Sequence, residues 1–490
     1  MIPLSLGEIA RITGARLDGG ADPAAVVTGP VVIDSRRAGA GGLFAAVEGE
    51  RVDGHEFAAA ARDAGATAML GTRPAGVPGL LVDDVPTALA RLAQEVMARL
   101  PEVTIAGLTG SAGKTSTKDL TAQLVERLGP TISPEGSWNN EFGFPLTVLR
   151  ADEQTRFMVL EMAARGPGHI AFLCEIAPPR IGAVLNVGHA HTGEFGGIEQ
   201  VARAKGELPA ALPAAAAGGV AILNADDHRV RAMASRTEAR IVTFGLADAT
   251  AAGQSDPGPA GGGRPDFAAA DVQLDRLGRP SFTLITPAGS VPVRMGLHGA
   301  HQIPNALAAA ATAAELGLDL DGIAGGLATA TARSRWRMEV REGPGGVTVI
   351  NDAYNANPES VRAALDALGH MAQGGRSFAI LGQMNELGDE SWDSHLEAGA
   401  HAAGTGVTGL IVVGKLAEPI LDGALATAGW HGEAIGVPTG AEAVAALRGR
   451  LAAGDVVLVK ASRSVGLETV AADLLSQPAS SSASEKETAQ

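Results

Sequence analysis

The stretch Val103-Thr104-Ile105-Ala106-Gly107-Leu108-Thr109-Gly110-Ser111-Ala112-Gly113-Lys114-Thr115-Ser116 decides how the rest of the chain is read. A β-rich run after Pro101 predicts a strand, the glycines let the backbone curl, and a helix is predicted from about Lys114. A turn of this kind aims successive N–H groups at phosphate oxygens, and the helix N-terminus adds the positive end of its dipole. Gly110, Ser111, Ala112, Gly113, Thr115 and Ser116 are therefore candidate phosphate-binding residues. Lys114 would bring a compact charge to the outer phosphates, and Thr115 a hydroxyl to Mg2+. Leu108 stands where the strict G-x-x-x-x-G-K-T pattern has Gly, so this is the shorter G-x-x-G-K-T form, strengthened by its strand–turn–helix setting.

Outward from this loop, strand-like segments recur at Phe157-Met158-Val159-Leu160, Ile181-Gly182-Ala183-Val184-Leu185 and Val220-Ala221-Ile222-Leu223, separated by helix-length stretches. That spacing predicts a central parallel sheet with crossover helices over residues 101–328. Alternating strands follow around Ser281–Ile285 and Val291–Met295, and a Gly/Pro/Ala-rich surface loop is expected over Asp248–Asp266. Residues 1–100 mix short β-rich runs with Ala-rich helical stretches, as a small α/β domain would. A third parallel α/β unit, Rossmann-like, is expected over 329–477, with strands at Val347–Ile350, Ser377–Leu381, Gly409–Val413 and Asp455–Val459. The Ser-rich tail 478–490 lacks apolar anchors and is expected to be disordered.

At 490 residues, 46% hydrophobic, the chain can build about three cores. Its charge, 38 Lys+Arg against 54 Asp+Glu, is −16, which repels a phosphate backbone and argues against nucleic-acid binding. The single Cys174 forbids an intramolecular disulfide and a cysteine metal cage, and fits a reducing compartment. The start Met1-Ile2-Pro3-Leu4-Ser5-Leu6-Gly7-Glu8 has no secretory pattern, and no run of about 18 apolar residues occurs. A cytoplasmic protein without membrane insertion is expected. Arg outnumbers Lys 32 to 6, which draws attention to the lysines that were kept.

Phosphoryl transfer needs a divalent cation held by hard oxygens. Glu161 ends the strand Phe157–Leu160 at the edge where α/β ligands bind, although a solvated strand-end carboxylate is the bland alternative. The next strand ends in Asn186-Val187-Gly188-His189-Ala190-His191, placing two histidines at the same edge. His191 is the preferred metal ligand, with His189 as its competitor. Lys205 sits in a helical stretch and reads from the residues alone as either a surface ammonium or something more. The guanine-specifying N-K-x-D is absent, which sets a GTPase-like switch behind an enzyme.

These residues in this order resemble the Mur ligase family, over nearly the whole chain. The resemblance is carried by Asp34-Ser35-Arg36, Gly42-Leu43-Phe44 and Asp53-Gly54-His55 at the start, then by Gly110–Ser116, Ser137-Trp138-Asn139-Asn140-Glu141-Phe142-Gly143-Phe144-Pro145, Glu161, His191 and Lys205. Further on, Asn305-Ala306-Leu307, Arg337-Met338-Glu339, Asn351-Asp352-Ala353-Tyr354-Asn355-Ala356-Asn357-Pro358 and Leu381-Gly382-Gln383-Met384-Asn385-Glu386-Leu387-Gly388 continue it. Gln302, Gln383 and Ala461 depart from the usual pattern.

The resemblance implies an amino-terminal UDP-substrate domain, a central ATPase domain and a closing carboxy-terminal domain. It also implies an ATP-dependent ligase of peptidoglycan precursor synthesis, working through an acyl phosphate. The Asn351–Pro358 stretch points to the branch that joins UDP-N-acetylmuramoyl-tripeptide to D-alanyl-D-alanine; a ligase adding diaminopimelate or lysine is the alternative, and a P-loop regulatory protein without ligase activity a further one. Lys114, Glu161, His191 and Lys205 would be catalytic. Two Mg2+ ions would be held by Thr115, Glu161, His191 and Lys205, the last carrying a carbamate derived from CO2. Asn305, Arg337 and Asp352 would contact ATP, while Ser35, Arg36, Asn139, Asn140, Tyr354, Asn355 and Asn357 would face the other substrates, although turn-forming and capping roles also suit such residues. A monomer is expected.

Overall fold

A computed structural model describes residues 1–49, 52–189, 195–247 and 264–476 of the chain. Thr104–Thr109 forms an inner strand of a nine-stranded sheet, flanked in parallel by Phe157–Glu161 on one side and Ile181–Val184 on the other. Val220–Asn224 and Arg240–Leu246 extend the sheet in parallel beyond Ile181–Val184. The three strand ends nearest the phosphate loop therefore share one edge. All of Ile105–Thr109, Phe157–Glu161 and Ile181–Val184 is buried, as a parallel sheet covered on both faces requires.

The sheet is mixed, where a parallel one was expected. Pro280–Thr286 and Gly289–Arg294 add antiparallel strands at one end, because the two residues Pro287 and Ala288 that join them allow a hairpin and not a crossover. On one face the helix Lys114–Val125 packs against Gln302–Glu315, whose Ala306 and Ala308–Ala311 have no exposed surface. Small side chains there let the phosphate-loop helix come close to its neighbour and to the sheet. On the other face the apolar core runs without a break into the amino-terminal unit, joining Leu6, Leu89 and Leu92 to Met158, Leu160 and Leu208. That unit holds a five-stranded sheet ordered Arg16–Asp18, Gly79–Leu81, Ala68–Gly71, Leu43–Ala45, Val31–Val32. Cys174 is buried in the shared core, and burial pushes its thiol up to about 12.

The carboxy-terminal unit has a six-stranded sheet, in the order Glu339–Gly343, Val347–Asn351, Val456–Lys460, Ser377–Gly382, Gly409–Val413, Glu433–Val437. Its two edge strands went unpredicted. Glu339–Gly343 is polar and partly buried, and Glu433–Val437 holds Ala434, Ile435 and Val437 on a partly exposed edge, so neither has the fully buried run of its neighbours. Unlike the amino-terminal junction, its junction with the central unit has no shared apolar core among the described residues and is bridged by polar contacts. Arg333 pairs with Glu126, the Ser334 amide donates to Asp119 Oδ2 at 3.0 Å, and His370 Nε2 donates to the Asp275 carbonyl at 2.8 Å. Among the described residues no helix is long and apolar enough to cross a membrane. The tail expected over 478–490 and most of the loop expected over Asp248–Asp266 lie outside the described residues.

Within this unit the helices Ser391–Gly404 and Pro419–Leu425 meet backbone to backbone. A Cβ on Gly399 would stand 1.8 Å from the Ile420 carbonyl oxygen, and one on Gly423 1.9 Å from that of Leu396. Gly399→Ala must push the helices apart, and is expected to destabilise the protein by about 1–3 kcal/mol, seen as a lower midpoint in urea unfolding followed by tryptophan fluorescence.

Candidate active site

The loop Gly110–Gly113 leaves the central strand and enters the helix at Lys114, with Gly113 at φ +80° as its N-cap. A side chain there would fail twice, since a Cβ would also lie 2.4 Å from Asn305 Oδ1. The loop is held from below by the end of the neighbouring strand. Asn186 Oδ1 accepts from the Ala112 amide at 2.8 Å, its Nδ2 donates to the Ala112 carbonyl at 3.1 Å, and its own carbonyl accepts from the Ser111 amide at 3.0 Å. Ser111 Oγ donates to the Gly188 carbonyl at 3.2 Å and accepts from its amide at 2.8 Å.

Lys114 Nζ donates to the Gly110 carbonyl at 2.7 Å and to the Ser111 carbonyl at 3.3 Å. Burial pulls its pKa down; Glu161 opposes that, Arg337 adds to it, and Glu386 opposes it. Thr115 Oγ1 lies 2.9 Å from Ser137 Oγ, and Arg337 Nη2 donates to both hydroxyls, at 3.0 and 3.1 Å. The Arg337 guanidinium stacks 4.2 Å from the Tyr354 ring centre, so the third unit reaches into the phosphate loop through one stacked side chain.

Glu161 is 2% exposed. Asn139 Nδ2 donates to its Oε1 at 2.6 Å, while its Oε2 is buried without a partner among the described residues. A solvated strand-end carboxylate is thereby ruled out. A buried orphan carboxylate oxygen lining the same cleft as the Thr115 hydroxyl is the donor chemistry that a hard divalent cation takes. Lys205 is likewise no surface ammonium: it is 3% exposed, and burial together with the charge of Lys114 drives its pKa well below the usual lysine value. His191 lies outside the described residues. Its competitor His189 faces the third unit, with Nδ1 3.0 Å from Glu390 Oε2 and its amide donating to Glu359 Oε1 at 2.8 Å.

The structure gathers Ser111 to Ser116, Asn139, Glu161, Asn305, Arg337, Asp352, Tyr354, Asn355 and Asn357 on the walls of one cleft of about 380 Å³. Gly110 lies just behind it, its carbonyl taken by Lys114. Asp352 pairs with Lys460 and accepts from the Met338 amide, and Lys460 also donates to the Asn355 carbonyl. Asn305 accepts from Thr117 Oγ1 at 3.2 Å and donates to Gln302 Oε1 at 3.1 Å, so Gln302 is part of the support of the loop. Asn357 caps the helix Pro358–Ala372.

Other expected residues stand apart from the cleft. Asn140 Oδ1 accepts from the Gly143 amide at 2.8 Å, fixing the turn into the next helix. Ser35 and Arg36 lie in a short 3-10 turn where Arg36 pairs with Asp34; it is Arg37 that reaches the central unit, meeting Glu135 at 3.3 Å and Trp138 at 5.8 Å. Sequence reading gave no role to Asn186, Ser137, Glu359 or Glu386. Asn186 carried a signal, a polar residue directly after a buried strand, and Ser137 and Glu386 stood in family-like stretches without being singled out.

A phosphate loop at the carboxyl edge of a parallel sheet, with a third α/β unit sending a cation into it, defines a P-loop nucleotide-dependent enzyme of the α/β class. Family models describe residues 30–97 as the Mur ligase family catalytic domain, 108–313 as the Mur ligase middle domain, and 336–463 as the Mur ligase glutamate ligase domain. The UDP-N-acetylmuramoyl-tripeptide--D-alanyl-D-alanine ligase of Mycobacterium leprae (strain TN) is 44% identical over 96% of this chain and 98% of its own. The crystal structure of MurF from Acinetobacter baumannii superposes with a TM-score of 0.83 at 30% identity, covering 97% of this chain and 99% of that one. MurF ligase from Thermotoga maritima, solved in complex with ADP, gives 0.75 at 30% identity, covering 92% and 97%. The chain belongs to the Mur ligase family.

The Asn186 clamp leads to a direct expectation. Asn186→Ala removes two hydrogen bonds that shape the loop, and should raise the KM for ATP by about 10- to 30-fold in a coupled ADP-release assay.

Proposed function

We propose that this protein joins UDP-N-acetylmuramoyl-tripeptide to D-alanyl-D-alanine, with cleavage of ATP to ADP and phosphate, in the cytoplasm and as a monomer. The observation that carries the reading is the cleft itself, in which the phosphate loop of one unit and Arg337, Asp352 and Tyr354 of another line the same space. The near full-length likeness to D-alanyl-D-alanine-adding ligases supports the choice of substrates.

Carboxylate and amine do not condense in water unaided. The tripeptide carboxylate takes the γ-phosphoryl group from ATP, giving an acyl phosphate and ADP. The dipeptide amine then attacks the acyl carbon, the carbon–oxygen bond to phosphate breaks, and the amine gives up its proton. Lys114 and the amides of Gly113 to Ser116 hold the β- and γ-phosphates, and the Arg337 guanidinium at Thr115 stabilises charge on the group in transfer. Asn305 and Asp352 face the nucleotide, Asn139 the UDP substrate, and Tyr354, Asn355 and Asn357 the dipeptide; Ser35, Arg36 and Asn140, outside the cleft, would meet the UDP substrate only away from the reacting groups.

Thr115 and Glu161 fit one Mg2+, and His191 with Lys205 would hold a second; such ions, when bound, offset the repulsion between triphosphate and carboxylate. For the second role Lys205 must first add CO2, R–NH2 + CO2 giving R–NH–COO− and H+. Only the neutral amine reacts, and burial beside Lys114 favours that form. Polar contacts at the carboxy-terminal junction suit a unit that closes on its substrates and reopens.

Incubating the protein with ATP, the UDP-tripeptide and a panel of amines, with products read by mass spectrometry, tests the reading. Ligation of D-alanyl-D-alanine is expected; turnover only with free diaminopimelate or lysine, or phosphate release independent of the UDP substrate, would sink it. Lys205→Ala should lose about 100-fold or more in kcat, and short-chain carboxylic acids should restore part of it. Undiminished activity of that variant would exclude the carbamate.

A further inference from the structure

We propose that Glu359 is a positioning residue that clasps the phosphate-loop side of the cleft when the third unit closes, gripping the peptide group between Gly188 and His189; this deepens, and rests on, the ligase reading above. That peptide group is held at both of its polar atoms. Its carbonyl oxygen, on Gly188, accepts from Ser111 Oγ of the phosphate loop at 3.2 Å, and its N–H, on His189, donates at 2.8 Å to Glu359 Oε1, 170 residues further along the chain. The Gly188 amide ties the same segment to Ser111 Oγ again, at 2.8 Å. A peptide group is planar and stiff, so what grips its N–H also fixes its carbonyl, and through Ser111 the loop.

Gly188 leaves room for this contact. Its φ lies outside the left-handed region, so its backbone does not call for glycine. What a Cβ there would meet, apart from its chain neighbours, is Glu359: the three nearest atoms would be Oε1, Cδ and Oε2 of that carboxylate, at 2.5, 2.8 and 3.3 Å. Within its own helix, Pro358–Ala372, the N-cap is Asn357 and not Glu359. The far end of that helix also rests on the central unit, where His370 Nε2 donates to the Asp275 carbonyl at 2.8 Å. The eleven residues from Glu359 to His370 span about 16 Å of helix, so a swing about the His370 end lifts Glu359 off the peptide or sets it down. The contact is also one that can break. Glu359 Oε2 is buried without a hydrogen-bond partner among the described residues, and it regains water when the cleft opens.

Steady-state kinetics of Glu359→Ala, Glu359→Gln, Gly188→Ala and the double variant Gly188→Ala/Glu359→Ala test this, with small-angle scattering in the presence of a non-hydrolysable ATP analogue and the UDP-tripeptide. Glu359→Ala should lower kcat about 10- to 50-fold, while the KM for ATP moves less than about threefold. Glu359→Gln keeps an oxygen for the His189 amide and should recover most of that loss. Gly188→Ala displaces only the end of a flexible side chain, so it should fold as the wild type does and reproduce the loss of Glu359→Ala. The double variant should fall no further than either single one, because both remove the same contact. On adding the ligands the wild type should shrink and Gly188→Ala should not. Full activity in Glu359→Ala or Gly188→Ala, losses that multiply in the double variant, or the same scattering change in wild type and Gly188→Ala overturns the proposal. A loss in Glu359→Gln as deep as in Glu359→Ala overturns it too, by assigning the effect to charge and not to the hydrogen bond. If Gly188→Ala fails to fold, the comparison of Glu359→Ala with Glu359→Gln decides alone. A wild-type protein that shrinks with the ligands but ligates nothing would instead overturn the ligase reading.

Discussion

Lys114 and Lys460 line one cleft and Lys205 lies within the electrostatic reach of Lys114; all three are drawn out of water, and burial pulls the pKa of each downward. Gathering like charges in a medium of low dielectric is costly unless anions or hydrogen-bond acceptors lie among them. Much of the local architecture meets that constraint. Lys460 is matched by Asp352, Lys114 is held by two loop carbonyls and lies in the field of Glu161, and Arg337 spreads its charge over a tyrosine face. Lys205 has no such match among the described residues, and its environment therefore favours the uncharged amine.

The same constraint explains why the site is divided between units. A triphosphate and a carboxylate brought together need several cations, and here two sheet edges share in presenting them. The central unit contributes Lys114 from its loop, and the third unit contributes Arg337 and Lys460 from another sheet edge. The amino-terminal unit is joined to the central one by continuous apolar packing, whereas the third is joined by ion pairs and hydrogen bonds. Polar junctions exchange protein contacts for water at little net cost, so this is the junction suited to opening.

The loop Gly110–Ser116 could be recognised in the sequence because its chemistry is local: glycine, lysine and threonine at fixed spacing act within one turn. Glu161 was found by a similar route, as an acid at the end of an apolar run. Asn186 and Glu359 escaped notice because their roles are defined by partners 74 and 170 residues away, the Ala112 backbone and the His189 amide. The edge strands Glu339–Gly343 and Glu433–Val437 were missed because a partly exposed edge needs only a short or broken apolar run. Asn140 and Asn357 show the converse: residues in family-like motifs of which the first fixes the turn into the next helix and the second caps its helix.

By itself the sequence determined the fold class, the phosphate loop and the order of the three α/β units, because hydrophobic periodicity and glycine spacing report on structure formed within a few residues of the chain. Only the tertiary structure decided that Lys205 is buried beside Lys114, that Arg337 spans 222 residues of sequence to reach Thr115, and that the antiparallel strands after Phe267 complete the central sheet. Burial, electrostatic coupling and strand pairing depend on which distant segments come together, and that is set by packing of the whole chain.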